Sequence, residues 1–272
     1  MPQRAGINSF EVGLQIARVL AAPPSPQPLK HIAAGAGMPA AKVHRYLVSM
    51  IRSGLAEQDR ETGHYRLGPL ALELGLSALR DLDILKCGAE TITELRDAID
   101  ETVLLAIWGN KGPVVVRWEE SSRPIATNVR AGWVMPLAKS ATGRIFAAYM
   151  PQALTEPLLQ AEFVRRPERR AAYSACLEDV RSRGLSRVEG DLQREISGIA
   201  APIFGHDGNL VAAIGTMGPQ GWFDISWNGT IARATREAAE RLSRRIGFSG
   251  AASFVAELQA PPARLPLRAS GG

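Results

Sequence analysis

Apolar residues near the start of the chain recur at helical spacing and are interrupted by breakers. In "FEVGLQIARVL", Val12, Ile16, Val19 and Leu20 share one face, Ser9 stands where a helix cap is wanted, and "AAPPSPQP" ends the run. The spacing then predicts a short helix over 29–34 and another over 39–53, with Pro39 in the first turn of the latter and Gly54 at its end. "LAEQDRETGHYRLG" holds two short extended runs around 59–63 and predicts a β-hairpin. Leucine spacing over 69–100 predicts one long helix or two successive ones, Gly75 and Gly88 leaving both open.

Beyond 100 the period changes. "TVLLAIW" and "PVVVRWEE", joined by "GNKG", predict a hairpin, and "ISGIAAPIFGHDGNLVAAIGTMG" predicts a second that turns at Asp207 and Gly208. A further strand is expected over 127–134. Helices are expected in "LAKSATGRIFAAYM" and over 152–163, 169–183 and 226–246, and the Ala/Pro/Gly-rich tail from Gly250 is expected to stay disordered. Antiparallel hairpins flanked by helices make the second part α+β and do not suit a doubly wound dinucleotide fold.

The break in "IAAGAGMPAAKVHRYLVSMIRSG" has a geometric reading. Two short helices cross steeply only if the residue at the crossing is small and the turn tolerates a left-handed backbone, demands that Ala33 and Gly37 meet. Ile32, Met38, Val43, Tyr46 and Leu47 then pack inward, leaving Ala40, Ala41, Lys42, His44 and Arg45 outward at the start of the second helix. That is the arrangement of a helix-turn-helix, whose second helix meets base edges in the DNA major groove. Arg60, His64 and Arg66 on a following wing, with Lys30 nearby, extend the contact to phosphates. An ordinary αα-hairpin with a solvated basic face has the same local pattern.

Charge favours the DNA reading. Of a net charge of +5, the first eighty residues carry nine basic side chains against five acidic ones, a surplus of +4. With 46% hydrophobic and 22% charged residues the chain is an ordinary globular one, which excludes a disordered or fibrous class. No apolar run reaches the ~20 residues of a membrane span, and no signal-peptide pattern opens the chain, so a cytoplasmic protein without a membrane partner is expected. Cys87 and Cys176 stand far apart, which suggests neither a disulfide framework nor a zinc site, and no metal or cofactor is expected.

Several of these segments, in this order, resemble the IclR-type transcriptional regulators. "AAGAGMPAAKVHRYLVSMIRSGLAEQDRETGHYRLGPLALELG" is similar to their winged helix, and "MPLAKSATGRIFAAYM" with "ISGIAAPIFGHDGNLVAAIGTMGP" to two segments of their effector-binding domain. The resemblance covers about residues 9–247. It implies a winged helix-turn-helix domain over 1–68, a helical linker over 69–100 and a GAF-like effector-binding domain over 101–249, in which a curved antiparallel sheet is flanked by helices; 250–272 form the tail.

The implied effector pocket is walled by Trp133, Met135, Leu137, Ser140, Ala141 and Gly143, with Ile196, Gly198, Gly215 and Met217 from the later strands. Trp108, Trp118 and Trp133 either face that volume or belong to the core. The resemblance implies a carboxylic acid effector, and the small or apolar Gly215 and Met217 favour one that is aromatic or partly apolar. One winged helix reads too few base pairs for specificity and the leucine-rich 69–100 segment offers apolar surface, so a homodimer on near-palindromic double-stranded operator DNA is expected, acting as repressor or activator; the resemblance adds dimers pairing into a homotetramer. The chain departs from the family where Ala41 and Lys42 replace a frequent Ser-Thr pair, where Ser140 and Arg144 replace Thr and Lys, and where Glu195 replaces Gly.

Two other classes stay open. An enzyme acting on a small organic acid needs a nucleophile, an acid/base pair or a metal cluster, and His31, His44, His64 and His206 do not form one; no enzyme is expected. A winged-helix adaptor that binds protein shares the fold but not the salt dependence of binding to duplex DNA.

Overall fold

A computed structural model describes residues 6–80, 84–123, 127–164 and 169–250 of the chain. The expected tail lies outside these residues, apart from Gly250. The chain divides at residues 82/83 into two compact units.

The first unit contains α1 (Asn8–Ala21), α2 (Leu29–Gly35), α3 (Ala40–Arg52), β1 (Ala56–Gln58), β2 (Tyr65–Leu67) and α4 (Pro69–Arg80). Ile16, Leu20, Ile32, Val43 and Leu47 are buried together, so the i, i+4 spacing read in the sequence does face one core. Gly37 turns the chain between α2 and α3 at φ 64°, a left-handed conformation that β-carbon-bearing residues rarely adopt. Ser9 does not cap α1, which begins one residue earlier with Ile7 at its N-cap and no side-chain cap. Pro39 occupies the N-cap of α3 and not its first turn.

β1 and β2 pair antiparallel as the wing. A third short extended segment joins them, because Gln27 N–H donates to Tyr65 O (2.9 Å) and Tyr65 N–H to Gln27 O (2.8 Å). The buried Gln27 side chain also donates to the carbonyls of Val19 and Ala22, at 2.8 and 2.7 Å, satisfying acceptors at the end of α1. The breaker-rich segment before α2 therefore does more than end a helix.

The second unit contains α5 (Ile84–Ile99), β3 (Thr102–Gly109), β4 (Gly112–Glu119), α6 (Ala141–Tyr149), α7 (Gln152–Phe163), α8 (Arg169–Arg183), β5 (Ser186–Glu189), β6 (Ile196–Phe204), β7 (Leu210–Pro219) and α9 (Thr230–Arg245). The strands form one antiparallel sheet in the order β4-β3-β7-β6-β5. Alternation along the strands serves two faces. Leu105 meets Gly88 of α5, and Thr216 meets Thr235 of α9 through hydroxyls 3.3 Å apart, while Leu104, Ala200 and Met217 pack with Ile145 and Phe146 of α6 on the other face.

Of the segment expected as a linker, α4 falls in the first unit and α5 in the second, where it is a layer against the sheet. The strand expected over 127–134 does not form. Within 127–134 only Val134 makes a bridge, to Val114, and the preceding backbone turns at Gly132. β5 is an addition, pairing Ser186 to Glu189 with the edge of β6. α9 starts at Thr230, four residues later than expected, since 224–229 form a loop in which Asp224 accepts from Ser226 N–H at 2.9 Å.

Candidate functional site

One face of α3 is free of core contacts. Ala40, Ala41, His44, Arg45, Ser49 and Arg52 are exposed on it, Lys42 is half-buried at its flank, and Val43, Leu47 and Met50 are buried behind. The first turn of α3 carries no acidic side chain, so its free N–H groups and positive dipole end are not neutralised within the helix. Ser49 and Arg52 were not among the residues singled out from the sequence. Their signal was there, since they follow Arg45 at i+4 and i+7.

The wing adds less charge than its composition suggested. Arg66 pairs with Glu57 on the neighbouring strand. Arg60 is exposed beside the tip, His64 is half-buried, and Lys30 is exposed on α2. Asp59 orders the tip by accepting from the Glu61 and Thr62 amides and the Thr62 hydroxyl, at 3.0, 2.7 and 2.9 Å. Those bonds from Thr62 hold its carboxyl below the ordinary carboxylate range, so the tip keeps its order at neutral pH and loosens only as pH falls through that depressed value.

In the second unit a cavity of about 20 Å³ lies between the sheet and the 135–142 segment. Met135, Ser140, Ala141, Ile196, Gly198, Gly215 and Met217 line it, as do Leu104, Thr142, Val188 and Leu192, which were not singled out from the sequence. Leu104 could have been found by register, since it pairs with Gly215. Trp133, Leu137 and Gly143 do not line it. Leu137 is buried in the core, Trp133 packs at its margin, and Gly143 lies against backbone of the 136–140 turn. Trp108 packs tilted against Phe146, ring centroids 5.9 Å apart, and Trp118 donates to Glu120 at 3.2 Å; none of the three tryptophans lines this volume.

At the mouth of α6 the Ser140 hydroxyl accepts from Gly143 N–H (2.8 Å) and donates to Pro136 O (2.7 Å). The Ala141 and Thr142 amides have no acceptor among the described residues. Two donors at a helix start, beside a mostly apolar volume, suit an anionic group on an organic body.

A family model described as the bacterial transcriptional regulator IclR C-terminal domain matches residues 76–244, and one for the IclR helix-turn-helix domain matches residues 9–60. The chain belongs to the IclR family. It is 24% identical over 257 residues to the DNA-binding transcriptional repressor YiaJ of Escherichia coli, covering 90% of each chain. With the glycerol operon regulatory protein of Streptomyces coelicolor it shares 28% identity over 251 residues, 89% of this chain and 97% of that one. The crystal structure of Pseudomonas aeruginosa HmgR superposes with a TM-score of 0.80 at 39% identity, covering 90% of this chain and all of that one. This IclR-family chain is therefore a DNA-binding transcriptional regulator of mixed α+β fold, and no helix among its described residues is long and apolar enough to cross a membrane.

Three side chains, two of them distant in the sequence, hold the 136–140 turn over the cavity of this IclR-family chain. Glu162 accepts from the amides of Leu137 (2.6 Å) and Ala138 (2.9 Å), one on each carboxylate oxygen. Tyr173 donates to Leu137 O at 2.8 Å, and burial pushes its phenol well above the ordinary range, which keeps that proton in place. Arg144 reaches Ala138 O (3.0 Å), Arg187 O (2.8 Å) and Asp191 (2.8 Å), tying the turn to β5 and the loop after it. A single ammonium at this position does not present that planar fork.

Glu162→Gln leaves one acceptor oxygen for two amides and turns an NH₂ group toward the other. Exchange of the Leu137 and Ala138 amide hydrogens is expected to accelerate roughly tenfold or more, while β6 and β7 amides keep their protection. Unaltered exchange at both amides would show that the turn is held by other means.

Proposed function

We propose that the protein regulates transcription as a homodimer whose α3 helices read two half-sites of a near-palindromic operator, and that a small organic acid bound beneath 135–142 sets its affinity for that DNA. The observation that carries the sensing half is the pair of amides without an acceptor at the start of α6, in two residues that line a mostly apolar cavity. A carboxylate accepts from them, and Leu104, Met135, Ile196 and Met217 take an aromatic or partly apolar body. At about 20 Å³ the volume holds little more than one water, so binding requires the 135–142 turn or the 188–195 loop to move outward.

Pairing is supported by α4, where Leu72 and Leu76, one turn apart on the same face, are each more than half exposed within the first unit. Dimers pairing further into a tetramer, and a cytoplasmic location where DNA is reached, are part of the same reading. Lys42 and Arg45 supply the long donors to bases, and Arg60, His64 and Lys30 the outer contacts.

The test joins footprinting on the DNA upstream of the native gene to titrations with a panel of aromatic and aliphatic monocarboxylates. The expected result is protection of two half-sites centred about one helical turn apart, and a shift of roughly 5–150-fold in operator affinity with one class of acid. A single protected half-site bound by a monomer in light scattering would remove the dimer. Calorimetry showing no carboxylate bound at millimolar concentration would remove the effector reading.

A further inference from the structure

The exposed face of α3 contains a histidine whose orientation is set from the core. Tyr65 is 4% exposed, its backbone is bonded in both directions to Gln27, and its ring packs in the core of the first unit. Its hydroxyl emerges 3.4 Å from His44 Nδ1 and has no other polar partner among the described residues. His44 itself is exposed on α3, one turn beyond Ala40 and Ala41.

The direction of that bond follows from elementary chemistry. A phenol with a single neighbour spends its O–H on the best acceptor available, and an unprotonated imidazole nitrogen is one. Nδ1 is then the acceptor and Nε2, on the far side of the ring, carries the hydrogen. The ring then donates outward, because the reverse tautomer would leave the Tyr65 phenol proton without an acceptor among the described residues. Ala40 and Ala41 add only methyl groups alongside, so the ring reaches beyond its exposed neighbours one turn back.

The geometry points to His44 as a specificity-determining residue that donates from Nε2 to a major-groove acceptor, and to Tyr65 as the positioning residue that fixes its tautomer. Guanine presents two adjacent acceptors there, N7 and O6, adenine and thymine present one each beside a donor or a methyl group, and cytosine presents only an amino donor, so each half-site contains one position at which guanine is preferred and cytosine rejected. The inference rests on α3 being the reading helix.

The experiment is a binding-site selection from randomised duplex DNA at constant salt, run on the full chain and on Tyr65→Phe, His44→Ala, the double variant and Arg45→Ala. Tyr65→Phe removes one oxygen and keeps the packed ring; His44→Ala alters an exposed position, so it reports even if the former proves unstable. Both are expected to lower the guanine preference at one shared position roughly tenfold, the double variant no further than His44→Ala alone. Affinity for non-specific DNA and its salt slope should not move, because no phosphate-contacting cation is lost. Unchanged preference in His44→Ala, or in a folded Tyr65→Phe, overturns the inference, as does additivity in the double variant. If Arg45→Ala also selects the same sequences as the parent, α3 is not the reading helix and the underlying reading falls with it; if Arg45→Ala alone changes the selection, only the role of His44 is lost.

Discussion

Gly143→Ala is expected to lower stability by roughly 3 kcal/mol or more, a large effect for one methyl group. A β-carbon at this position would lie 2.0 Å from the Pro136 carbonyl oxygen and 2.7 Å from the Leu137 Cα. These are backbone atoms of a turn that Glu162, Tyr173 and Arg144 hold from three sides, so the turn does not yield by rotating a side chain. The Ser140 hydroxyl, 2.7 Å away, would also lose the Gly143 amide that it caps. A larger residue such as Trp would disrupt this region and not fill the cavity. Denaturant melts of the parent and variant measure the difference, and a shift below about 1 kcal/mol with an unchanged slope would show that the 136–140 turn is softer than its hydrogen bonds indicate.

Gly198→Val is expected to abolish the response to effector while leaving operator binding intact. Here a β-carbon has ordinary contacts with Val188 and Met217, at 3.7 and 3.9 Å, and one tight approach of 3.2 Å to the Thr216 carbonyl oxygen. A shift of a few tenths of an ångström accommodates it, and a β-branched residue suits a strand. Its two methyl groups enter a volume of about 20 Å³ and exclude an organic ligand from the floor of the cavity. The α3 face lies in the other unit and is not altered. Since a ligand moves DNA affinity only through unequal binding to two states, an excluded ligand leaves the coupling of ~1–3 kcal/mol without a source. Operator titrations with and without acid, after circular dichroism has verified the fold, decide the matter; a normal ligand-induced shift in this variant places sensing elsewhere in the second unit.

The elements were legible wherever a local period carried them. α3 and its outward face followed from the spacing of Val43, Leu47 and Met50, and the β6–β7 hairpin from two apolar runs around Asp207 and Gly208. The expected strand over 127–134 did not form because its apolar residues answer different neighbours. Val129 is in the core and Trp133 at its margin, with a left-handed Gly132 between them. β5 escaped notice because four residues at a sheet edge carry too little pattern, and its strand identity comes from the carbonyls and amides of β6.

What the sequence by itself determined is the winged helix with its basic, outward-facing α3 and the two hairpins; these depend on residue spacing, which is local. Only the tertiary structure decided that Gly143 meets backbone and not cavity, that the three tryptophans do not line that cavity, that Arg66 is paired, that Glu162, Tyr173 and Arg144 hold one turn, and that Tyr65 orients His44. The physical reason is separation along the chain. The Glu162 carboxylate lies 25 residues from the Leu137 amide it binds, and Tyr65 lies 21 residues from His44, so neither pairing leaves a periodic trace. Such contacts are selected by the packing of whole elements, which brings a donor and an acceptor together only after the hydrophobic faces have fixed where each helix and strand lies.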